Sequence, residues 1–157
     1  MLTWLTTLTN SAAVISDPVA LANELRPVLL QIGRQLRREV HPLGVTGGQV
    51  SLLVSIRRSP GVGVRELAGR EGVSPAAMCR HIDRLERAGL VTRTPGTAGD
   101  RRRVGLEVTS EGERVLRLVR SRRTAWLTSR LKRLEPEQHE AIEAAVEPLA
   151  ALLEADE

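Results

Sequence analysis

The arginines of this chain are concentrated in one short segment. Between Arg80 and Arg103 there are seven arginines and three acidic residues, a surplus of four positive charges that equals the formal net charge of the whole 157-residue chain. Guanidinium groups bind phosphate oxygens and guanine edges through two parallel hydrogen bonds. A positive surface confined to one segment predicts binding to a polyphosphate at a defined place.

The first part of this segment has the signals of a helix-turn-helix. A short helix is predicted over 64–70, and a glycine turn follows it. Ser74 is a helix-capping residue and Pro75 suits the first helical position, so a second helix is predicted from there to residue 88. Gly89 then ends this second helix, which is the candidate recognition helix.

The helical repeat decides which side chains of the recognition helix can face DNA. At 100° per residue, Met78, Ile82 and Leu85 share one apolar face that must pack on the core. Arg80 and Arg84 lie one turn apart on the opposite face, where two-point pairing with guanine is sterically allowed. Small first-turn residues let the backbone approach the bases, and the arginine nearest the helix end is expected to reach a phosphate. The predicted DNA-contacting residues of this helix are Ser74, Ala76, Ala77, Arg80, Arg84 and Arg87.

A β-hairpin is predicted after the recognition helix, with strands over 90–94 and 102–108. Its loop contains two glycines and a proline, and three consecutive arginines follow the tip. These would lie over the narrow groove of DNA, whose negative potential attracts arginine. Asp100 can accept hydrogen bonds from one guanidinium and orient it. The predicted wing residues are Asp100, Arg101, Arg102 and Arg103.

The rest of the chain is predicted to be helical, which makes the fold class mainly α (α+β). There is no Phe or Tyr, so the core must consist of aliphatic residues. In the outer strand of the hairpin, the side chains of Val104, Leu106 and Val108 are expected to point inward. The S-x-x-E sequence at Ser110 predicts a capping box that opens a long helix. The predicted regions are an N-terminal arm over 1–16, a helical part comprising 17–41 and 110–157, and a winged helix-turn-helix over 42–109. The arm could pack on a partner or be a frayed tail.

Several kinds of site are not expected from this sequence. The lone Cys79 excludes intrachain disulfides and CxxC metal sites, and the three histidines lack the spacing of metal ligands. His81 lies at the edge of the core face and is expected to be a packed or capped histidine. There is no nucleophile–base pair and no phosphate loop, so we predict no catalytic residue, no metal, no cofactor and no enzymatic activity. No apolar run approaches roughly 18 residues, and we expect a cytoplasmic protein without a membrane partner.

Four sequence runs carry a family resemblance. They are VTGGQ at 45–49, VRELA at 64–68, RLERAGLV at 84–91 and DRRRVGLEVT at 100–109. Together they resemble the MarR family of bacterial transcription regulators, over about residues 18 to 153. The resemblance implies a homodimer in which the N- and C-terminal helices form a dimerisation domain and each winged helix reads one half of a palindromic DNA site. It also implies that Arg102 enters the minor groove and is held by Asp100.

Control by a small-molecule effector is a further expectation. A ligand between the dimerisation helices and the DNA-binding lobes would change the spacing of the two recognition helices, and a ligand-responsive repressor is the expected function. The candidate pocket residues are Gln31, Arg38, His41 and Trp126. Trp126 fits better as a core or interface aromatic. The alternatives are a module that uses its winged helix to bind another protein, and a redox-responsive regulator that acts through Cys79.

Overall fold

The computed structural model describes residues 17–95 and 104–154. The elements are α1 (Pro18–Arg38), a 3-10 turn (His41–Leu43), α2 (Gly47–Arg58), β1 (Val62–Gly63), α3 (Val64–Arg70), α4 (Pro75–Arg87), β2 (Val91–Pro95), β3 (Val104–Val108), α5 (Ser110–Leu131) and α6 (Pro136–Glu154). The predicted arm over 1–16 and the hairpin tip lie outside the described residues. The mainly helical fold with a small antiparallel sheet confirms the predicted fold class.

The chain divides into two units, of which the first ends at Gln35. Its described part is most of α1. At the start of this helix, the side chain of Asp17 accepts a hydrogen bond from the amide of Val19 at 3.3 Å. It continues through Pro27, and none of its residues is buried. The exposed apolar side chains of α1 are Val19, Leu21, Val28, Leu29, Leu30 and Ile32.

The second unit, which begins at Leu36, has an aliphatic core. Side chains from α2, α3, α4, β3 and α5 form one buried cluster, and its centre is almost inaccessible to solvent. The largest fully buried residues are Leu53, Ile56, Leu67, Met78, Ile82, Leu85 and Leu106. Burying each such side chain contributes roughly 1.5–3 kcal/mol relative to leaving it in water, so this cluster fixes α4 and the sheet on α2 and α5.

The sheet is antiparallel, with the order β1-β3-β2. Leu106 of the central strand lies opposite Val62 on one side and Arg93 on the other. Leu106 points inward as predicted, but Val104 does not: its residue is 48% exposed, whereas Gly105 is buried. Gly105 is buried because Gly61 approaches it closely: the amide of Gly61 donates to the carbonyl of Leu106 at 2.9 Å. A Cβ on Gly105 would lie 2.8 Å from the Cα of Gly61, so only glycine fits there.

The start of α5 differs by one residue from the predicted capping box. Thr109, rather than Ser110, is the N-cap: its hydroxyl accepts a hydrogen bond from the amide of Gly112 at 3.0 Å. The same hydroxyl donates to the carbonyl of Gly89 at 2.6 Å, and the amide of Thr109 donates to the carbonyl of Leu90 at 3.0 Å. These bonds to the chain after α4 select Thr109, which a reading of local sequence could not detect.

None of the helices described here combines the length and the apolar character needed to cross a bilayer.

Candidate nucleic-acid interface

The start of α4 is held by the turn that precedes it. The amide of Val73 donates to the carbonyl of Ala68 at 3.0 Å, and Gly72 has a φ of 65°, which favours glycine. Ser74 caps α4 as predicted, since its hydroxyl accepts a hydrogen bond from the amide of Ala77 at 3.2 Å. The two helices of the helix-turn-helix are therefore joined by a turn of defined geometry.

The two faces of α4 lie as the helical repeat predicts. Met78, Ile82 and Leu85 are at most 1% exposed and pack on the core. Arg80 and Arg84 are on the exposed side, and within the described residues neither guanidinium has a hydrogen-bond or ion-pair partner. Both are therefore available to an anionic partner.

The remaining predicted contact residues of α4 also lie at its surface. Ser74, Ala76 and Arg87 are exposed, and Ala77 is half-buried. The Nε atom of Arg87 donates to the backbone carbonyl of Asp83 at 3.1 Å, which directs this side chain along the helix. Its two terminal nitrogens keep their donors for an outside acceptor.

An arginine that the sequence interpretation did not use joins the hairpin to α4. Arg93 of β2 has one terminal nitrogen 2.6 Å from a carboxylate oxygen of Asp83 and the other 2.6 Å from a carboxylate oxygen of Glu86. The hydrogen bond to Asp83, and then the charge of Glu86, raise the pKa of Arg93 above its usual value. The carboxylate of Asp83 is therefore paired within the protein. The sequence signal was available: two acids three residues apart on one helix face, followed by a basic residue in the next strand.

Asp100, Arg101, Arg102 and Arg103 lie outside the described residues, and their roles stay predictions. The pairing of β2 with β3 is described up to Pro95 opposite Val104.

The four candidate effector residues belong to three elements, and their shared role stays a prediction. Gln31 is exposed on α1, Arg38 is exposed at its end, and His41 is exposed in the 3-10 turn. Trp126 is half-buried in α5, where the guanidinium of Arg130 lies 4.3 Å from the centre of its indole ring. This cation–π contact gives the indole ring a neighbour on its own helix.

Two other residues singled out in the sequence also lie at the surface. His81 is exposed and lines a cavity between α2 and α4, so the expectation of a packed histidine was wrong. At 100° per residue, His81 of α4 lies beside the apolar face that contains Met78 and Ile82, and not within it. Cys79 is exposed on the flank of α4, as expected.

No group of three or more metal-ligating side chains occurs in the part of the chain that the structure describes.

A cavity of about 350 Å³ lies between α2 and α5. Its floor is aliphatic and its rim carries four arginines. The lining residues are Val50, Val54, Arg57, Leu116, Arg117, Val119, Arg120, Arg123, Thr124 and Leu127. Arg123 donates to the carbonyl of Leu36 at 3.2 Å and Arg57 is 3.6 Å from Glu113, whereas Arg117 and Arg120 have no such partner within the described residues. The sequence interpretation missed this cavity because its two walls are distant in the chain.

Comparisons with known proteins identify the fold and the family. The model of the MarR family matches residues 45–104. The HTH-type transcriptional repressor MdtR of Bacillus subtilis (strain 168) is 31% identical over 133 residues, which cover 85% of each chain. The chain belongs to the MarR family. It is a DNA-binding transcription regulator of that family and not an enzyme, as the sequence predicted.

Solved structures of transcriptional regulators agree with this assignment. A putative transcriptional regulator from Pseudomonas aeruginosa PA01 superposes with a TM-score of 0.72 at 32% identity, and the match covers 88% of this chain and 96% of that one. A mutant MarR from E. coli has a TM-score of 0.68 at 25% identity, with 83% and 96% covered. These similarities do not favour the alternatives of a protein-interaction module or a redox switch at Cys79.

Proposed function

We propose that this regulator binds a palindromic double-stranded DNA site as a homodimer and represses transcription from it. The exposed arginine face of α4 is the observation that carries the proposal. Arg80 and Arg84 project from a helix whose opposite face is fixed in the core, so the backbone positions from which these two side chains extend keep a constant spacing. We assign base contacts to these two residues and a phosphate contact to Arg87. Because DNA is the partner, the proposed place of action is the cytoplasm.

The homodimer is supported by apolar side chains that are exposed among the described residues. On α6, Ile142 is 46% exposed, Val146 is 63% exposed and Leu152 is 60% exposed. α1 likewise has a row of exposed aliphatic residues. Contiguous apolar surfaces of this kind are typical of protein–protein contacts, and a second copy of the chain is the proposed cover.

The hairpin tip completes the proposed DNA contact. We assign Arg102 to the minor groove with Asp100 as its orienting partner, and Arg101 and Arg103 to phosphates. Substituting Arg102 by alanine should weaken DNA binding strongly, while the far-UV circular dichroism stays that of the parent protein. Unchanged binding would withdraw this role from Arg102.

A selection on genomic fragments tests the DNA-binding proposal. The purified full chain is mixed with sheared bacterial DNA, and the retained fragments are sequenced. We expect enrichment of an inverted repeat whose half-sites lie about 10 base pairs apart, because two symmetric recognition helices enter successive major grooves. The variant Arg80→Ala/Arg84→Ala is the matched control and should enrich no repeat. Retention without any inverted repeat in the wild-type fraction would contradict the proposal.

The ionic strength adds a second test of the same proposal. Arginine–phosphate contacts release counterions, so the affinity should fall steeply between about 50 and 200 mM salt. An affinity that does not change over this range would rule out phosphate contacts as the main source of binding.

We further propose that an anionic small molecule with an aliphatic body regulates DNA binding from the cavity between α2 and α5. Its carboxylate would pair with Arg117 and Arg120, which lack partners among the described residues, and its chain would lie on Val54 and Leu116. The cavity volume of about 350 Å³ is within the usual range of small-ligand sites.

Thermal unfolding in the presence of octanoate tests the cavity proposal. Octanoate should raise the midpoint of the wild type but not that of Arg117→Met/Arg120→Met. Arg133→Met removes an exposed arginine beyond the end of α5 and should respond as the wild type does. Equal midpoint shifts in all three proteins would mean that the cavity is not the site.

A further inference from the structure

Arg93 connects the two parts of the protein that are proposed to read DNA. It lies in the middle of β2, opposite Leu106 of β3, and its guanidinium reaches back to α4. There it spans two carboxylates one helical turn apart, with 2.6 Å to Asp83 and 2.6 Å to Glu86. We refer to Arg93, Asp83 and Glu86 together as the hairpin clamp.

Stability alone is a poor explanation of the hairpin clamp. The side chain of Arg93 is 35% exposed, and those of Asp83 and Glu86 are 48% and 37% exposed. Ion pairs at this exposure contribute little to folding. The core beneath α4, with Met78 and Leu85 at most 1% exposed, already fixes that helix.

The geometry of the hairpin clamp is that of an orienting device. A planar guanidinium that bonds two carboxylates with different nitrogens has little rotational freedom, and a lysine ammonium could not reproduce this fork. β2 leads directly into the hairpin tip, so the orientation of its second half fixes where the tip begins. Asp83 also precedes Arg84 in sequence. Its pairing with Arg93 offsets the negative charge of its carboxylate, which would otherwise repel a DNA phosphate that approaches Arg84.

We propose that Arg93 is a positioning residue for DNA recognition, which holds the hairpin at a fixed angle to α4 by binding Asp83 and Glu86 at once. The inference rests on the proposed function, because it concerns the selectivity with which α4 and the hairpin read DNA together. Arg93 itself need not contact DNA.

One pair of substitutions separates this role from bulk electrostatics. The variant Asp83→Asn/Glu86→Gln removes two negative charges beside the DNA-binding face and frees Arg93. Any account based on net charge alone therefore predicts tighter binding to every duplex. The positioning role predicts the opposite for the selected sequence, because the freed hairpin no longer keeps its angle to α4.

The experiment measures the dissociation constants for two duplexes of equal length by fluorescence anisotropy. One duplex is the inverted repeat enriched from genomic DNA, and the other has a scrambled sequence. For Asp83→Asn/Glu86→Gln we expect the selectivity ratio to fall about tenfold, the size of one mismatched base pair, with the scrambled duplex bound as tightly as before or more tightly. The control Glu111→Gln/Glu137→Gln removes two charges on α5 and α6 and should keep the wild-type ratio.

Arg93→Lys is the conservative variant, and the thermal midpoint of every variant is recorded beside its affinity. We expect Arg93→Lys to fold with a midpoint near that of the wild type and to lose selectivity, since its ammonium cannot hold both carboxylates. Wild-type selectivity in Asp83→Asn/Glu86→Gln, or in a folded Arg93→Lys, overturns the inference and leaves the proposed function intact. If the wild-type protein itself selects no sequence, the proposed function fails, and the inference that rests on it fails too.

Discussion

Alanine in place of Gly112 should destabilise this protein, although removing a glycine from a helix is usually favourable. Gly112 lies in the first turn of α5 and is buried against the chain that follows α4. A Cβ at this position would lie 2.6 Å from a methyl group of Val108 and closer still to the carbonyl oxygen of Leu90. Backbone carbonyl groups cannot rotate away from a clash as a flexible side chain can.

The size of the effect follows from three contributions. Overpacking a tight contact costs about 1–3 kcal/mol. Displacing Leu90 also endangers the hydrogen bond that its carbonyl accepts from Thr109 at 3.0 Å, worth about 1 kcal/mol. In the opposite direction, alanine has a higher helix propensity than glycine, which stabilises the helix by about 1 kcal/mol. The net loss is therefore about 1–3 kcal/mol.

Chemical denaturation followed by circular dichroism measures this loss, with all proteins at one concentration because association would change the apparent stability. Gly69→Ala is the matched control, since Gly69 is helical and a Cβ there would meet nothing within 4 Å. We expect the control to be up to about 1 kcal/mol more stable than the wild type. The reasoning is refuted if Gly112→Ala is as stable as Gly69→Ala.

Four further outcomes are expected. Arg80→Ala should cost about 1–3 kcal/mol of DNA-binding free energy and relax the preference at one base pair, as measured by competition with single-base operator variants; an unchanged preference would remove the base contact. Arg87→Ala should weaken binding to all sequences alike and reduce the salt slope by about 1, so a sequence-dependent loss would argue against a phosphate role. Ser74→Ala should lower the free energy of unfolding by about 1 kcal/mol through loss of the α4 cap, and denaturation curves that coincide with the wild type would contradict this. Val146→Asp should leave each chain folded but shift the mass found by light scattering to that of one chain; a retained dimer would exclude α6 as the contact.

The local signals of the sequence were sufficient to place α4. Its start is encoded by Ser74 and Pro75, and the apolar face of Met78, Ile82 and Leu85 follows from the helical repeat, which is a property of neighbouring residues. The aliphatic character of the core could also be predicted from the sequence, because the chain has no Phe or Tyr and only two Trp. Family membership then followed from motifs that these elements carry.

The differences between prediction and structure arise where distant segments meet. Gly105 is buried because β1 brings Gly61 against it, which the alternation along β3 does not reveal. Thr109 caps α5 because its hydroxyl also bonds the carbonyl of Gly89. The pairing of Arg93 with Asp83 and Glu86 also joins two separate elements, but its signal was present in the sequence and was not used.

The exposed aliphatic residues of α6 would make the regulator sensitive to its own abundance. When two chains must associate before either engages its half-site, the amount of competent protein at low copy number rises with the square of the chain concentration. Halving the rate of synthesis, or diluting the chains by cell growth, then lowers the competent species about fourfold, as mass action requires. The fraction of target promoter that is free of repressor would therefore change by a larger factor than the protein level does.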